Sequence, residues 1–230
     1  NDDPISLSEY VEKMPETQKD IYYISAETNA QALASPHLEG FKSKKVPVLI
    51  MTDAIDQFWL PMVGSFKEKK FTSITQGQIN LDELDAKNKD KKKDDKSEKE
   101  KQDKEYVDLV AQLKVVLGDQ VKDIRLSSKL TDSPVCLVAD EGDMDIAMEQ
   151  LMAQRDTNYK GAPRILEING DHSLIKNMKS LLSKKEDNDL VSDAGTLLFE
   201  QARLMEGKMP ADPAQFSKIM NQFLLKAIPN

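Results

Sequence analysis

The first third of the chain alternates short apolar runs with patterns of helical spacing. Residues 20–25, 47–51 and 70–74 are apolar runs too short for a helix; the second predicts a buried strand and the third an edge strand. The helical patterns around them cover residues 6–14, which open with a capping box, residues 28–33 and, in one interpretation, residues 36–39. This alternation predicts a small α/β unit with parallel strand pairing.

A further helical pattern in this unit carries adjacent aromatic residues. Asp53 is a suitable N-cap for a helix that carries Ile55, Phe58, Trp59 and Met62. Neighbouring residues on a helix point about 100° apart, so Phe58 and Trp59 cannot both face one core well. We expect one of the two to be exposed.

The composition changes abruptly in the middle of the chain. Residues 87–101 contain no apolar side chain, and such a segment cannot bury enough surface to offset the entropy lost on ordering. A solvated linker or a frayed helix extension is predicted, whereas interleaved acidic residues argue against a nucleic-acid-binding tail. We therefore divide the chain into a first domain, a charged linker and a second domain at residues 1–84, 85–104 and 105–230.

The second domain opens with a clear helical stripe that ends at Gly118 and contains Tyr106, Leu109, Val110, Leu113, Val116 and Leu117. Three strands are predicted after it, at residues 122–127, 135–139 and 164–168. A helix over residues 172–182 follows the last of them. Together with the first domain, this gives an α+β fold.

Residues 142–154 form a methionine-rich helical pattern. At helical spacing Met144, Met148, Leu151 and Met152 share one apolar stripe, and Asp145, Glu149 and Gln150 are predicted on the polar side. Spacing alone favours a helix that faces the core. Methionine also suits surfaces that must adapt to varied partners, so a partly exposed binding helix is the second interpretation.

The chain closes with two apolar helical patterns separated by Gly207 and by Asp212-Pro213, a strong helix start. A lone hairpin buries only one side of such helices, and two hairpins paired across a two-fold axis would cover the rest as a four-helix bundle. We predict a dimer interface formed by Leu190, Ala194, Leu197, Leu198, Leu204 and Met205 on the first helix and Phe216, Ile219, Met220, Phe223 and Leu224 on the second.

The composition of the chain argues against some classes of binding partner. The chain is 39% hydrophobic and 31% charged with a net charge of −8, which argues against a nucleic-acid or anionic-membrane binder. Cys136, the single cysteine, lies in an apolar run and is predicted to be a small buried hydrophobe in a reducing compartment. No apolar run approaches the length of a membrane span, and the start without Met suggests a segment of a longer protein.

The sequence contains no glycine-rich phosphate loop, no HExxH motif and no paired-cysteine metal spacing. Asp171, His172 and Ser173 are consecutive and cannot adopt the geometry of a catalytic triad, so a helix start capped by Asp171 or Ser173 is predicted. His37 is predicted at the surface. We predict that this chain is not an enzyme and that it binds no cofactor or metal.

Several motifs, in order along nearly the whole chain, resemble the ninety-kilodalton heat-shock protein family and its bacterial, HtpG-like members. They are Ser6-Leu-Ser-Glu-Tyr-Val-Glu-Lys-Met14, Ile21-Tyr-Tyr-Ile24, Asp53-Ala-Ile-Asp56, Arg125-Leu126, Leu130-Thr-Asp-Ser-Pro134 and Leu166-Glu-Ile-Asn-Gly-Asp-His172. Two features depart from the family pattern: Gly170 replaces a proline in the last motif, and the charged insert is long for a bacterial member.

The resemblance implies the end of the middle domain followed by the C-terminal dimerisation domain of a stress-response chaperone. Binding of unfolded client proteins would fall to Met144, Met148, Leu151 and Met152 and to Phe58 or Trp59. ATP and Mg²⁺ would be bound by the longer parent protein, and homodimerisation and co-chaperones are further expectations. The end Ala227-Ile-Pro-Asn230 lacks both the acidic tail of eukaryotic cytosolic members and a Lys-Asp-Glu-Leu retention signal, which favours a bacterial or organellar member over a eukaryotic cytosolic one. The bacterial cytoplasm is the expected location, with an organelle as the alternative.

The sequence therefore predicts a client-binding and homodimerisation segment of an ATP-dependent chaperone. Two alternatives stay open. A purely structural oligomerisation module predicts that the methionine helix is buried, and an enzyme subunit with an interdomain site predicts a perturbed titratable cluster in a cleft.

Overall fold

The computed structural model describes residues 4–81, 92–156, 159, 161–184 and 187–228, with backbone only for residues 92–101. The predicted linker at residues 85–104 therefore lies partly outside the described residues, and its described part from residue 92 onward is helical. None of the described helices is long and apolar enough to cross a membrane.

The described elements form an α+β fold, as predicted. The helices are α1 (Leu7–Lys13), α2 (Asn29–Leu33), α3 (Glu39–Ser43), α4 (Asp56–Val63), α5 (Lys92–Leu117), α6 (Ile146–Arg155), α7 (Ser173–Ser183), α8 (Asn188–Met205) and α9 (Pro213–Ala227). The strands are β1 (Ile21–Ser25), β2 (Leu49–Met51), β3 (Ser65–Phe66), β4 (Lys69–Ser73), β5 (Val121–Leu126), β6 (Val135–Val138) and β7 (Arg164–Ile168). Short 3-10 turns occupy Pro36–Leu38 and Gly118–Gln120.

The strands form two sheets, ordered β2-β1-β4-β3 and β5-β7-β6. β1 pairs in parallel with β2 and with β4, which confirms the parallel pairing predicted for the first part of the chain. The prediction of an edge strand at residues 70–74 is wrong, because β3 pairs antiparallel with β4 and forms the edge itself. β3 is only two residues long, too short to give a periodic signal.

The chain forms two compact units that are interleaved along the sequence. Unit 1 consists of residues 1–95, 128–131 and 138–162, and unit 2 of the remainder. Unit 1 thus takes up the methionine helix α6 together with the N-terminal sheet. The predicted domains are consecutive in sequence, and their boundaries stay a prediction.

Contacts between segments distant in sequence stabilise unit 1. The buried Lys129 donates from Nζ to the carbonyl of Ile74 at 2.8 Å, and Ser128 Oγ donates to the carbonyl of Ile79 at 2.9 Å. A Cβ at Gly40 would stand 2.6 Å from the Lys129 carbonyl oxygen, so only glycine allows this approach. These contacts join residues 128–131 firmly to the first part of the chain.

Unit 2 buries the stripe predicted on α5, with Tyr106, Leu109, Leu113 and Leu117 all in one core with α7 and α8. A polar cluster also lies in this unit. Glu167 accepts from Arg125 Nη2 at 2.8 Å and from Ser127 Oγ at 2.9 Å, and the Cys136 thiol lies 3.9 Å from Glu167 Oε2. Cys136 is buried, as predicted.

Helix caps account for several boundaries. Ser6 and Glu9 form the predicted capping box, and Asp212 accepts from two backbone N–H groups of α9. Three other predictions were wrong. Asp53 does not cap α4, which begins three residues later; His172 caps α7 through Nδ1 in place of Asp171 or Ser173; and His37 is buried.

Candidate functional site

Helix α6 starts two residues later than the methionine spacing suggested. Asp145 is its N-cap and accepts from the Ala147 N–H through Oδ1 at 2.9 Å. Met144 therefore precedes the helix, and the predicted four-residue stripe loses its first member. Met144 is nevertheless exposed.

The second carboxylate oxygen of Asp145 binds the end of β4. Oδ2 accepts from Ser73 Oγ at 2.5 Å and from Thr75 Oγ1 at 2.9 Å, and the two hydroxyls lie 2.9 Å apart. Ser73 and Thr75 are both buried. The start of α6 is thus attached to the N-terminal sheet by hydrogen bonds to a charged acceptor, which are stronger than neutral ones.

Glu149 faces inward, contrary to the prediction that it lies on the solvent side. Its side chain is 3% exposed and Oε2 accepts from the Ala162 N–H at 3.3 Å. Gly161 has φ of +68°, and a Cβ there would clash with the Glu149 carboxylate. A buried carboxylate therefore holds the chain that follows α6, and only Ile146 is buried with it on this helix.

The apolar side of α6 is consequently not enclosed. Met148, Leu151 and Met152 are each half-buried, and the buried members of the helix are Ile146 and Glu149 instead. An amphipathic helix usually buries its apolar stripe and exposes its carboxylates. Along α6 the carboxylate of Glu149 is buried while the methionines keep part of their surface accessible.

Both aromatic residues of α4 are half-buried, so the expected difference in exposure between them is not observed. Trp59 is anchored: its Nε1 donates to Asp56 Oδ1 at 2.7 Å, and its ring meets Phe71 edge-on with centroids 5.6 Å apart. Phe58 carries a phenyl ring, which has no group that could form such a hydrogen bond. Trp59 is therefore the more constrained of the two.

The most exposed apolar residue of α4 is one that the prediction left out of the site. Met62 is 85% exposed, and Ile55 and Val63 on either side of it are also exposed. Ile55 and Met62 are seven residues apart and share one face of the helix with Phe58. The spacing was visible in the sequence, but nothing there indicated that this side of α4 lacks a covering element within the described residues.

The predicted dimer residues divide into three groups by burial. Ala194, Leu198 and Ile219 are buried within the chain's own core, and Leu190, Leu197, Phe216 and Phe223 are half-buried. Leu204, Met205, Met220 and Leu224 are exposed. The pattern thus combines residues that pack α8 against its own unit with residues that remain accessible, and their role in a dimer stays a prediction.

Three exposed apolar residues extend this accessible surface and were missed: Met209 in the loop between α8 and α9, and Leu225 and Ile228 at the end of α9. Leu225 and Ile228 are three residues apart, and Leu224 to Ile228 spans one helical turn. Apolar positions therefore occupy more than half the circumference of α9. Only part of that circumference contacts α8.

A buried carboxylate also sets the turn of this hairpin. Glu200 accepts from the Ala211 N–H through both oxygens, at 3.1 and 3.2 Å, and Arg203 Nη2 donates to the Met209 carbonyl at 2.9 Å. Arg203 Nε also lies 3.4 Å from Glu200 Oε2. These bonds fix the path of the chain into the N-cap of α9 at Asp212.

In the described part of the chain, no group of three or more His, Cys, Asp or Glu side chains could hold a metal ion. Burial, together with the charge of Asp145, raises the pKa of Tyr23 to about 12, and a hydrogen bond with Ser73 opposes part of this shift. Tyr23 therefore belongs to the same cluster as the cap of α6.

Comparison with known proteins decides the family. A profile described as Hsp90 protein matches residues 1–229, nearly the entire chain. The chain belongs to the Hsp90 family. Within that family it is similar to the chaperone protein HtpG of Roseobacter denitrificans, with 41% identity over 228 residues, which cover 98% of this chain and 36% of the relative.

Two further Hsp90-family relatives give the same picture. The chaperone protein HtpG of Streptomyces coelicolor is 38% identical over 95% of this chain and 33% of its own length, and that of Wolbachia pipientis wMel is 36% identical over 96% and 34%. The chain thus spans about a third of the length of the curated relatives it matches.

Proposed function

We propose that this chain is the client-binding and homodimerisation part of an ATP-dependent chaperone of the Hsp90 family. The observation that carries the proposal is the inverted burial of α6, in which Glu149 is buried while Met148, Leu151 and Met152 remain partly accessible. Flexible thioethers adapt to varied apolar segments, which is the requirement for binding unfolded proteins. The ATP and Mg²⁺ chemistry would belong to the longer parent protein, in the bacterial cytoplasm.

The exposed surface of α4 supports the same function. Ile55, Met62 and Val63 add apolar area to unit 1, the unit that also contains α6. Exposed apolar patches of this kind mark interaction sites on soluble proteins. We therefore include Met62 with Phe58 and Trp59 among the proposed client contacts.

The exposed side of the α8–α9 hairpin supports dimerisation. Leu204, Met220 and Leu224 offer apolar area on two neighbouring helices, and a second copy of the same hairpin presents an identical surface. Isologous pairing across a two-fold axis buries both surfaces at once. The proposed occupant of this face is thus a second copy of the chain.

Client binding is tested by replacing Met144, Met148 and Met152 with Ser together. We expect the affinity for fluorescently labelled, carboxymethylated lactalbumin, a permanently unfolded protein, to fall by about tenfold or more, because several apolar contacts are lost. The control replaces the exposed Val107 and Val115 of α5 with Ser, which removes accessible apolar side chains elsewhere. Equal affinity of both variants would reject the proposed site.

Dimerisation is tested by sedimentation velocity at micromolar concentration. The wild-type chain is expected to sediment as a dimer. Replacement of Leu204, Met220 and Leu224 by Ser should raise the dissociation constant of the dimer by about a hundredfold or more. A monomeric wild-type chain would refute this part of the proposal. A purely structural module predicts the same dissociation of the hairpin variant, but a methionine variant that binds unfolded protein no differently from wild type.

A further inference from the structure

We propose that Asp145 is a positioning residue that fixes α6 with its methionine side accessible to a client. The inference rests on the proposed client-binding function and adds the residues that set the orientation of the helix. Its basis is the geometry around the N-cap, where one side chain serves two elements of unit 1 at once.

The two carboxylate oxygens of Asp145 bind different elements. Oδ1 accepts from Ala147 and closes the first turn of α6, while Oδ2 accepts from the hydroxyls of Ser73 and Thr75. The position of the Ser73 hydroxyl is constrained by a further hydrogen bond, because Ser73 Oγ also accepts from the Thr75 N–H at 3.3 Å. The N-terminus of α6 is therefore held at one point on the sheet.

The segment that leads into α6 is bonded to the same part of the sheet. The Ala139 N–H donates to the Thr75 carbonyl at 2.9 Å, and the Gly77 N–H donates to the Ala139 carbonyl at 2.8 Å. Gln76 Nε2 then donates to the Asp143 carbonyl at 2.7 Å. These bonds fix the approach of the chain, and Asp145 is the last attachment before the helix begins.

Glu149 provides the second attachment, one turn further along. Positions 145 and 149 lie on the same side of a helix, and Glu149 accepts from the Ala162 N–H on that side. Two polar attachments one turn apart fix both the position of the helix and its rotation about its axis. Met148 is turned about 100° away from Glu149 and is thereby kept at the edge of the buried face.

A fixed orientation matters for binding because a client then need not order the helix. Ordering a mobile segment on association costs free energy that is taken from the affinity. Loss of the contacts from Asp145 to the sheet should therefore weaken client binding even when every methionine is present and the helix is still capped.

Three variants distinguish the N-cap role of Asp145 from its hydrogen bonds to Ser73 and Thr75. Asp145→Ser keeps a good N-cap residue but is too short to reach Ser73 and Thr75 as well. The double variant Ser73→Ala with Thr75→Val removes the partners and leaves the cap untouched. Asp145→Asn is the rescue variant, because its Oδ1 can still cap the helix while its Nδ2 donates to the two hydroxyls instead of accepting from them.

Hydrogen exchange of the amides of residues 146–155 and affinity for labelled carboxymethylated lactalbumin are measured on each variant. We expect about tenfold faster exchange and about three- to tenfold weaker binding for Asp145→Ser and for the double variant, with near wild-type values for Asp145→Asn. Exchange in α5, in unit 2, should be unchanged and serves as the internal control.

The two hypotheses fail in different ways. Wild-type exchange rates of α6 in Asp145→Ser and in the double variant would overturn the positioning role. Faster exchange of α6 with unchanged affinity would instead overturn client binding by this helix, because a loosened binding surface cannot bind as well as an ordered one.

Discussion

Helix α6 and the α8–α9 hairpin carry similar apolar patterns but are attached to the protein in opposite ways. On α8 the apolar residues Val191, Leu198 and Phe199 are buried in the core of unit 2. On α6 the attachment is made largely by Asp145 and Glu149, and the methionines stay half-buried. The comparison teaches that an amphipathic pattern predicts a helix but not which of its sides faces the protein.

The largest effect is expected where apolar burial attaches the helix. Leu198→Ala should destabilise unit 2 by about 2–5 kcal/mol, because it removes a buried side chain and leaves a cavity. Its neighbour Leu197 is only half-buried, so Leu197→Ala should cost clearly less. Urea denaturation followed by circular dichroism measures both, and equal losses would contradict the assignment of the buried side of α8.

Glu149 tests the opposite kind of attachment. Glu149→Leu should destabilise unit 1 by about 1–3 kcal/mol, since the Ala162 N–H loses its acceptor, whereas Glu149→Gln keeps an acceptor oxygen and should cost less. Trp59, the only tryptophan, lies in unit 1 and reports its unfolding by fluorescence. A stabilising Glu149→Leu variant would mean that apolar burial, after all, governs α6.

The cluster around Asp145 should also make the stability of unit 1 depend on pH. Tyr23 has a pKa of about 12 in the folded chain and about 10 in the unfolded chain, so the folded state binds the phenol proton more tightly. The free energy of unfolding of unit 1 should keep this stabilising contribution below pH 10 and lose it as the pH rises toward 12. The loss should approach about 2 kcal/mol. Tyrosinate absorbance should show Asp145→Asn lowering the Tyr23 pKa, with Tyr23→Phe identifying the signal and the exposed Tyr159→Phe as control.

The smallest effects on stability are expected at the exposed apolar residues. Met62→Gln and Leu225→Gln should each change the free energy of unfolding by less than about 0.5 kcal/mol. Each should still weaken one association: Met62→Gln the binding of unfolded lactalbumin, and Leu225→Gln the dimer measured by sedimentation. If both variants impaired both associations, the separate roles proposed for α4 and the hairpin could not stand.

Local rules predicted much of the fold. The spacing of Tyr106, Leu109, Leu113 and Leu117 identified the buried side of α5, because one apolar stripe meets one core there. The capping box at Ser6 fixed the start of α1 in the same way. Such features depend on residues within a few positions of one another.

The errors on α6 have a common physical cause. Glu149 is buried because its partner is the N–H of Ala162, thirteen residues away, and the acceptors and donors around Asp145 lie seventy residues back in the chain. Periodicity contains no information about partners at such separations.

Unit 1 is formed by segments that are separated along the chain and held together by noncovalent contacts. Residues 4–81 bind the later segments through Lys129, Gln76 and the Asp145 carboxylate, none of which needs an intact backbone between positions 82 and 91. A single proteolytic nick in that charged stretch should therefore yield two peptides that separate in denaturing gels yet co-elute in native chromatography. The same two pieces, expressed as separate polypeptides, should reconstitute unit 1 by fragment complementation.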